Sequence, residues 1–152
     1  MGMGRGNLYV PDRGIASQMP TDAIVTLEDV PVLCLVAEGG PNGASQTFSV
    51  LEARLGGTRG RRFYGAFHPA TGVYRACVSH KEDDDAEALG LERWIIPGGR
   101  YARRRMPDWM DKVMMIGPTF EEMASHNEHD PARPNIEFYR SQRELVLLLP
   151  VR

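Results

Sequence analysis

Between Arg133 and Val151 the chain alternates in the manner of extended backbone. In Asn135-Ile136-Glu137-Phe138-Tyr139 the apolar Ile136 and Phe138 fall on one side and Asn135, Glu137 and Tyr139 on the other, because successive side chains of a strand point to opposite faces. Leu145 to Val151 is a second apolar run, so Asn135–Arg140 and Leu145–Val151 read as a closing hairpin. The same pattern predicts strands at Arg62–His68 and Val73–Ser79, joined by the turn Pro69-Ala70-Thr71-Gly72. Leu91–Ile96 and Tyr101–Met106 are extended on either side of Pro97-Gly98-Gly99. Ala23–Leu27 and Pro31–Ala37 read as an extended pair broken at Asp29 and Pro31.

Helical spacing occurs twice. Phe48, Leu51 and Leu55 follow a capping Ser45 and stop at Gly56-Gly57. Trp109, Val113 and Ile116 follow Pro107 and Asp108, both suited to a first helical turn. Phe120 and Met123 continue that stripe past a kink expected at Gly117-Pro118. The order of elements therefore repeats: an extended segment, a helix and a hairpin between Ala23 and Ser79, then again between Leu91 and Val151. The fold class this predicts is α+β, a tandem pseudo-symmetric pair of β-α-β-β units. Antiparallel sheets would carry helices on one face, with a central ligand groove where the halves meet. Residues 1–21 have many Gly, Pro and polar positions and no period, and are expected to be a flexible lead-in to a single domain over 22–152.

Ile95-Ile96-Pro97-Gly98-Gly99-Arg100-Tyr101-Ala102, an amphipathic helix, Pro134-Asn135-Ile136-Glu137-Phe138-Tyr139 and Leu147-Leu148-Leu149-Pro150-Val151 together resemble the GyrI-like small-molecule-binding family. This family includes the effector-binding domains of AraC-type and MerR-type multidrug regulators and the DNA gyrase inhibitory protein. The resemblance implies a tandem β-α-β-β fold around a groove for bulky, amphipathic, often cationic aromatic compounds. It also implies that an acidic residue in a Glu-x-Tyr strand, here Glu137 with Tyr139, supplies the counter-charge. Gyrase or a regulator is a partner the resemblance permits, and hydrolysis of reactive natural products is an activity some relatives resemble. Nothing in the sequence resembles a helix-turn-helix, so a regulator's DNA contact is not carried over.

Composition narrows the classes. A chain of 152 residues, 42% hydrophobic and 25% charged, suits one soluble domain, and a net charge of -2 gives no global attraction to nucleic acid or an anionic membrane. No apolar run approaches a bilayer-spanning length, and no secretory pattern opens the chain, so a cytoplasmic location is expected. Cys34 and Cys77, each within a predicted strand, read as small buried thiols. No cofactor signature is present. Gly98-Gly99 lacks the Lys-Ser/Thr of a phosphate loop, and Glu82-Asp83-Asp84-Asp85 lacks the spacing of a calcium loop. His126 and His129 sit in loop-like composition rather than on a metal-binding helix.

The candidate chemistry centres on Glu137. A carboxylate in an apolar groove is costly when unpaired, so an arriving cation gains by pairing with it. The plainer alternative is a solvated strand residue. Tyr139 shares its face and could stack on a ligand or donate to the carboxylate. If Arg61–His68 matches Pro134–Arg140, Tyr64 is the counterpart of Glu137. Tyr64 and His68 are then assigned to the groove, and Phe63 and Phe67 to the core. Trp94, Trp109 and Tyr101 are further candidates for its walls. Were the protein an enzyme, Glu137 would be the general base toward water, with Tyr139 or Tyr64 as proton donor.

Overall fold

The computed structural model describes residues 22–152, so the expectation for 1–21 lies outside the described residues. Eight strands form one antiparallel sheet. They are β1 (Ala23–Leu27), β2 (Val30–Val36), β3 (Phe63–His68), β4 (Val73–Ser79), β5 (Glu92–Ile96), β6 (Gly99–Pro107), β7 (Asn135–Tyr139) and β8 (Glu144–Pro150). The helices are α1 (Ala44–Leu55), a single turn α2 (Ala86–Leu89) and α3 (Ile116–His126). Spatial order across the sheet is β1-β6-β8-β7-β3-β4-β2-β5. The two β-α-β-β units, β2-α1-β3-β4 and β6-α3-β7-β8, therefore meet at the β3–β7 pair.

The units exchange their outer strands. β1 precedes β2 but pairs with β6, Ala23 opposite Arg103, while β5 precedes β6 but pairs with β2, Val30 opposite Ile96. This corrects the expected pairing of Ala23–Leu27 with Pro31–Ala37. The two crossover bends lie against each other: Gly98 N–H donates to Asp29 Oδ1 at 2.6 Å. A Cβ at Gly98 would stand 2.6 Å from Leu27 O, so only glycine permits this approach.

Alternation sends side chains to two kinds of core. On one face, Val32, Cys34, Tyr64, Ala66, Cys77, Ile96, Tyr101, Ile136, Val146 and Leu148 form a cluster to which no helix contributes, with Val25, Trp94 and Phe138 packed against it. Both edge strands reach it, β5 through Ile96 and Trp94 and β1 through Val25, so the sheet curls around this cluster. On the other face Leu51 of α1 packs with Leu33, Ala76 and Val78, and Phe120 and Met123 of α3 pack with Leu145, Leu147 and Leu149. Each fully buried aliphatic side chain contributes about 1.5–3 kcal/mol. Between these two helix-covered patches runs a furrow along the junction of the units.

Local corrections have plain causes. α1 begins at Ala44 behind a 3-10 turn at Gly40–Gly43, and Thr47 rather than Ser45 bonds back, its hydroxyl donating to Gly43 O at 2.7 Å. Pro107 ends β6 instead of opening a helix, and Asp108 follows with a left-handed φ of 54°. Two 3-10 turns, Trp109–Asp111 and Val113–Met115, then lead into α3. Gly117-Pro118 does not kink the helix, because Pro118 sits in its first turn, where a missing N–H costs no helical bond. The acidic segment after His80 is tied to the approach to β3: Arg61 grips Asp84 through both carboxylate oxygens at 2.6 and 2.7 Å, which lowers the Asp84 pKa to about 2. Among the described residues no helix is long and apolar enough to cross a membrane.

Candidate functional site

β7 and β3 run side by side at the centre of the sheet, with Gly65 directly opposite Glu137. Alternation turns Glu137 toward the helix-bearing face, where it is 8% exposed. Tyr74, one strand further away on β4, extends across β3 at Gly65 and donates its hydroxyl to Glu137 Oε1 at 2.7 Å. Tyr139 donates to the same oxygen at 2.5 Å, and the two phenol oxygens are 3.3 Å apart. A Cβ on residue 65 would lie 2.0 Å from the Tyr74 hydroxyl and 2.6 Å from Glu137 Oε1. The glycine is thus the gap through which the phenol reaches the carboxylate.

Electrostatics follow from burial. Desolvation raises the Glu137 pKa above its ordinary value, and the two phenol hydrogen bonds oppose that shift by favouring the anion. Burial, reinforced by the adjacent carboxylate, raises the pKa of both Tyr74 and Tyr139, so each keeps its proton and donates. No cationic side chain contacts Glu137 among the described residues.

Above this triad lies a cavity of about 550 Å³ between α1 and the Trp109–Ile116 segment. Its aromatic wall is continuous. Phe48 of α1 meets Tyr139 edge-on at 5.3 Å, and Trp109 meets Tyr139 edge-on at 5.1 Å. Phe63 lies 6.5 Å from Phe48. Trp109 is anchored by its indole N–H, which donates to Ser141 O at 3.0 Å. Tyr139 both lines the cavity and touches Glu137, so it joins the open space to the buried carboxylate.

Of the candidate residues, Glu137, Tyr139 and Trp109 converge here. Tyr64 does not. It faces the helix-free core, stacked on Phe138 at 5.1 Å, and the residue opposite Glu137 is Gly65. A one-residue slip in register exchanges the two faces, so Phe63, expected in the core, packs against the core beneath α1 and lines the cavity as well. Tyr101 is 1% exposed on that same helix-free side, donates to Pro97 O and lies under the Arg133 guanidinium at 4.9 Å. Trp94 borders a separate hollow with His80 and Arg93, its ring covered by Arg75 at 4.7 Å. His68, at the end of β3, has Nε2 3.4 Å from Ala132 O, away from the triad. Tyr74, Gly65 and Phe48 were not singled out as site residues from the sequence. An interior strand glycine beside a hairpin partner carrying a tyrosine is the signal that could have marked the first two.

No family model and no curated protein matches the chain. Solved structures do. An integron cassette protein from the mobile metagenome of Vibrio cholerae matches with TM-score 0.66 at 15% identity, over 87% of this chain and 96% of that one. SAV2435 bound to tetraphenylphosphonium matches with TM-score 0.55 at 12% identity, over 88% and 94%. A hydrolase from Listeria innocua matches with TM-score 0.51 at 12% identity, over 90% and 95%. At these identities the likeness is one of fold: an α+β architecture with a curled antiparallel sheet.

Proposed function

We propose that this chain is a small-molecule-binding protein of the GyrI-like type, taking amphipathic aromatic cations into the groove between α1 and the Trp109–Ile116 segment. The observation that carries this reading is a buried carboxylate with neutral phenols but no cationic partner among the described residues, set behind an aromatic wall. Such a carboxylate gains most from an incoming positive charge. The faces of Trp109, Phe48 and Tyr139 add about 0.5–2 kcal/mol each by cation–π attraction. Support also comes from SAV2435, a fold neighbour bound to the hydrophobic cation tetraphenylphosphonium.

Titration of the protein with tetraphenylphosphonium, followed by calorimetry or by tryptophan fluorescence in a Trp94→Phe background that leaves Trp109 as the reporter, tests the proposal. Binding that drops at least about tenfold in Glu137→Gln supports it, and equal affinity for both proteins removes the role assigned to Glu137. A second reading is a hydrolase in which Glu137 activates water and Tyr139 donates a proton. It draws on the raised carboxylate pKa and on the likeness to the Listeria hydrolase. Mass spectrometry of ligands recovered after incubation separates the two: intact compound supports binding, and cleaved compound supports turnover. The gyrase or regulator partner implied by the family resemblance is tested separately by pull-down.

A further inference from the structure

α1 presents Ser45, Phe48, Ser49 and Glu52 to the cavity. Their spacing of three and four residues makes them one stripe along the helix. Phe48 sits over Tyr139 at the inner end. Glu52 lies four residues on, about 6 Å further along the axis, where it places a second carboxylate on the groove wall. No Lys, Arg or His lines the cavity among the described residues. The one basic residue of α1, Arg54, is turned aside, its guanidinium donating to Gly90 O at 2.6 Å. Glu52 itself makes no ion pair among the described residues. Apolar groups from Met110 and Val113 line the wall as well, so the cavity combines apolar surface with one carboxylate on its wall, Glu52, and a second, Glu137, buried directly behind Tyr139.

From this arrangement we infer that the groove selects elongated ligands with two positive centres: one end held at Tyr139 and Glu137, the other at Glu52. This rests on the proposed cation-binding function and adds a ligand class and a specificity-determining residue to it. A compact monocation satisfies only the inner carboxylate. A dication with an aromatic end and a flexible tether spans both and covers the apolar wall between them. Glu52 is solvent-exposed, so its contribution is modest and screened by salt.

The test compares tetraphenylphosphonium with the bis-amidine pentamidine by calorimetry, in wild type and Glu52→Gln at low and physiological salt. The expected result is a loss of about 2- to 5-fold in pentamidine affinity on substitution, with tetraphenylphosphonium changed less. The pentamidine difference should shrink as salt rises, and Glu52→Lys should enlarge it. An equal change for both ligands, or none for either, overturns the inference while leaving the monocation function standing. Failure of tetraphenylphosphonium to bind the wild-type protein overturns the function and this inference together. Circular dichroism of both variants checks that α1 is intact.

Discussion

Tyr74 and Glu137 are 63 residues apart in sequence and meet at 2.7 Å across a strand that offers no side chain at the crossing point. The space is Gly65. The central feature of the site is therefore a hole in a β-sheet that lets a phenol from one β-hairpin reach the carboxylate of another.

Gly65→Ala tests that hole. A methyl group 2.0 Å from the Tyr74 hydroxyl must displace the ring. Overpacking of this kind costs about 1–3 kcal/mol. Urea unfolding should show the loss. In Tyr74→Phe the clashing oxygen is gone, so the cost of Gly65→Ala should fall in that background. Additive effects of the two substitutions would contradict the geometry.

Glu137 gives the stability a defined pH dependence. Its pKa is raised in the folded protein above an ordinary value of 4.5, so the folded state holds this proton more tightly than the unfolded state. The stabilisation is complete below the unfolded pKa and is lost as pH rises through the folded one. Glu137→Gln should therefore flatten the decline in stability above about pH 4.5. It should also leave the variant at least as stable as wild type at neutral pH. Urea unfolding across a pH series measures this, and parallel profiles would contradict it.

The phenols should tune ligand affinity through the same proton. Tyr139→Phe keeps the ring beside Trp109 but removes one donor to Oε1, which raises the carboxylate pKa further. The pH below which a cationic ligand is released should move upward relative to wild type. Affinity for tetraphenylphosphonium measured between acid and neutral pH reads the midpoint, and an unmoved or lowered midpoint would count against the phenol's role.

The two tryptophans should behave differently. Trp109 lines the cavity, whereas Trp94 packs under Arg75 beside another hollow. Trp109→Ala should weaken cation binding by about 0.5–2 kcal/mol, with Trp94→Ala near neutral for binding. Calorimetry on both variants decides, and the reverse ranking would relocate the site.

What could be read from the sequence was local. Alternation in Asn135–Tyr139 placed Glu137 and Tyr139 on one face and Ile136 and Phe138 on the other, and the structure has them so. The repeated order of elements yielded two β-α-β-β units. What escaped was set by pairing between distant strands. The exchange of β1 and β5 leaves no period in the chain, because an edge strand reads the same whichever partner it takes. The match of Tyr64 to Glu137 failed by one residue, which in a sheet reverses the face. Tyr74 escaped because its contact passes over an intervening strand. At Pro107-Asp108 the local signals for a helix start lost to the ladder, which carries β6 through Pro107 opposite Glu144.

The most direct single measurement is a crystal structure of the protein with tetraphenylphosphonium. The expected result is the phosphonium between Phe48 and Trp109, against the Tyr139 ring, with the Glu137 carboxylate as the nearest negative charge. Density for the ligand beside Trp94 and His80, or an empty groove at saturating ligand, would contradict it.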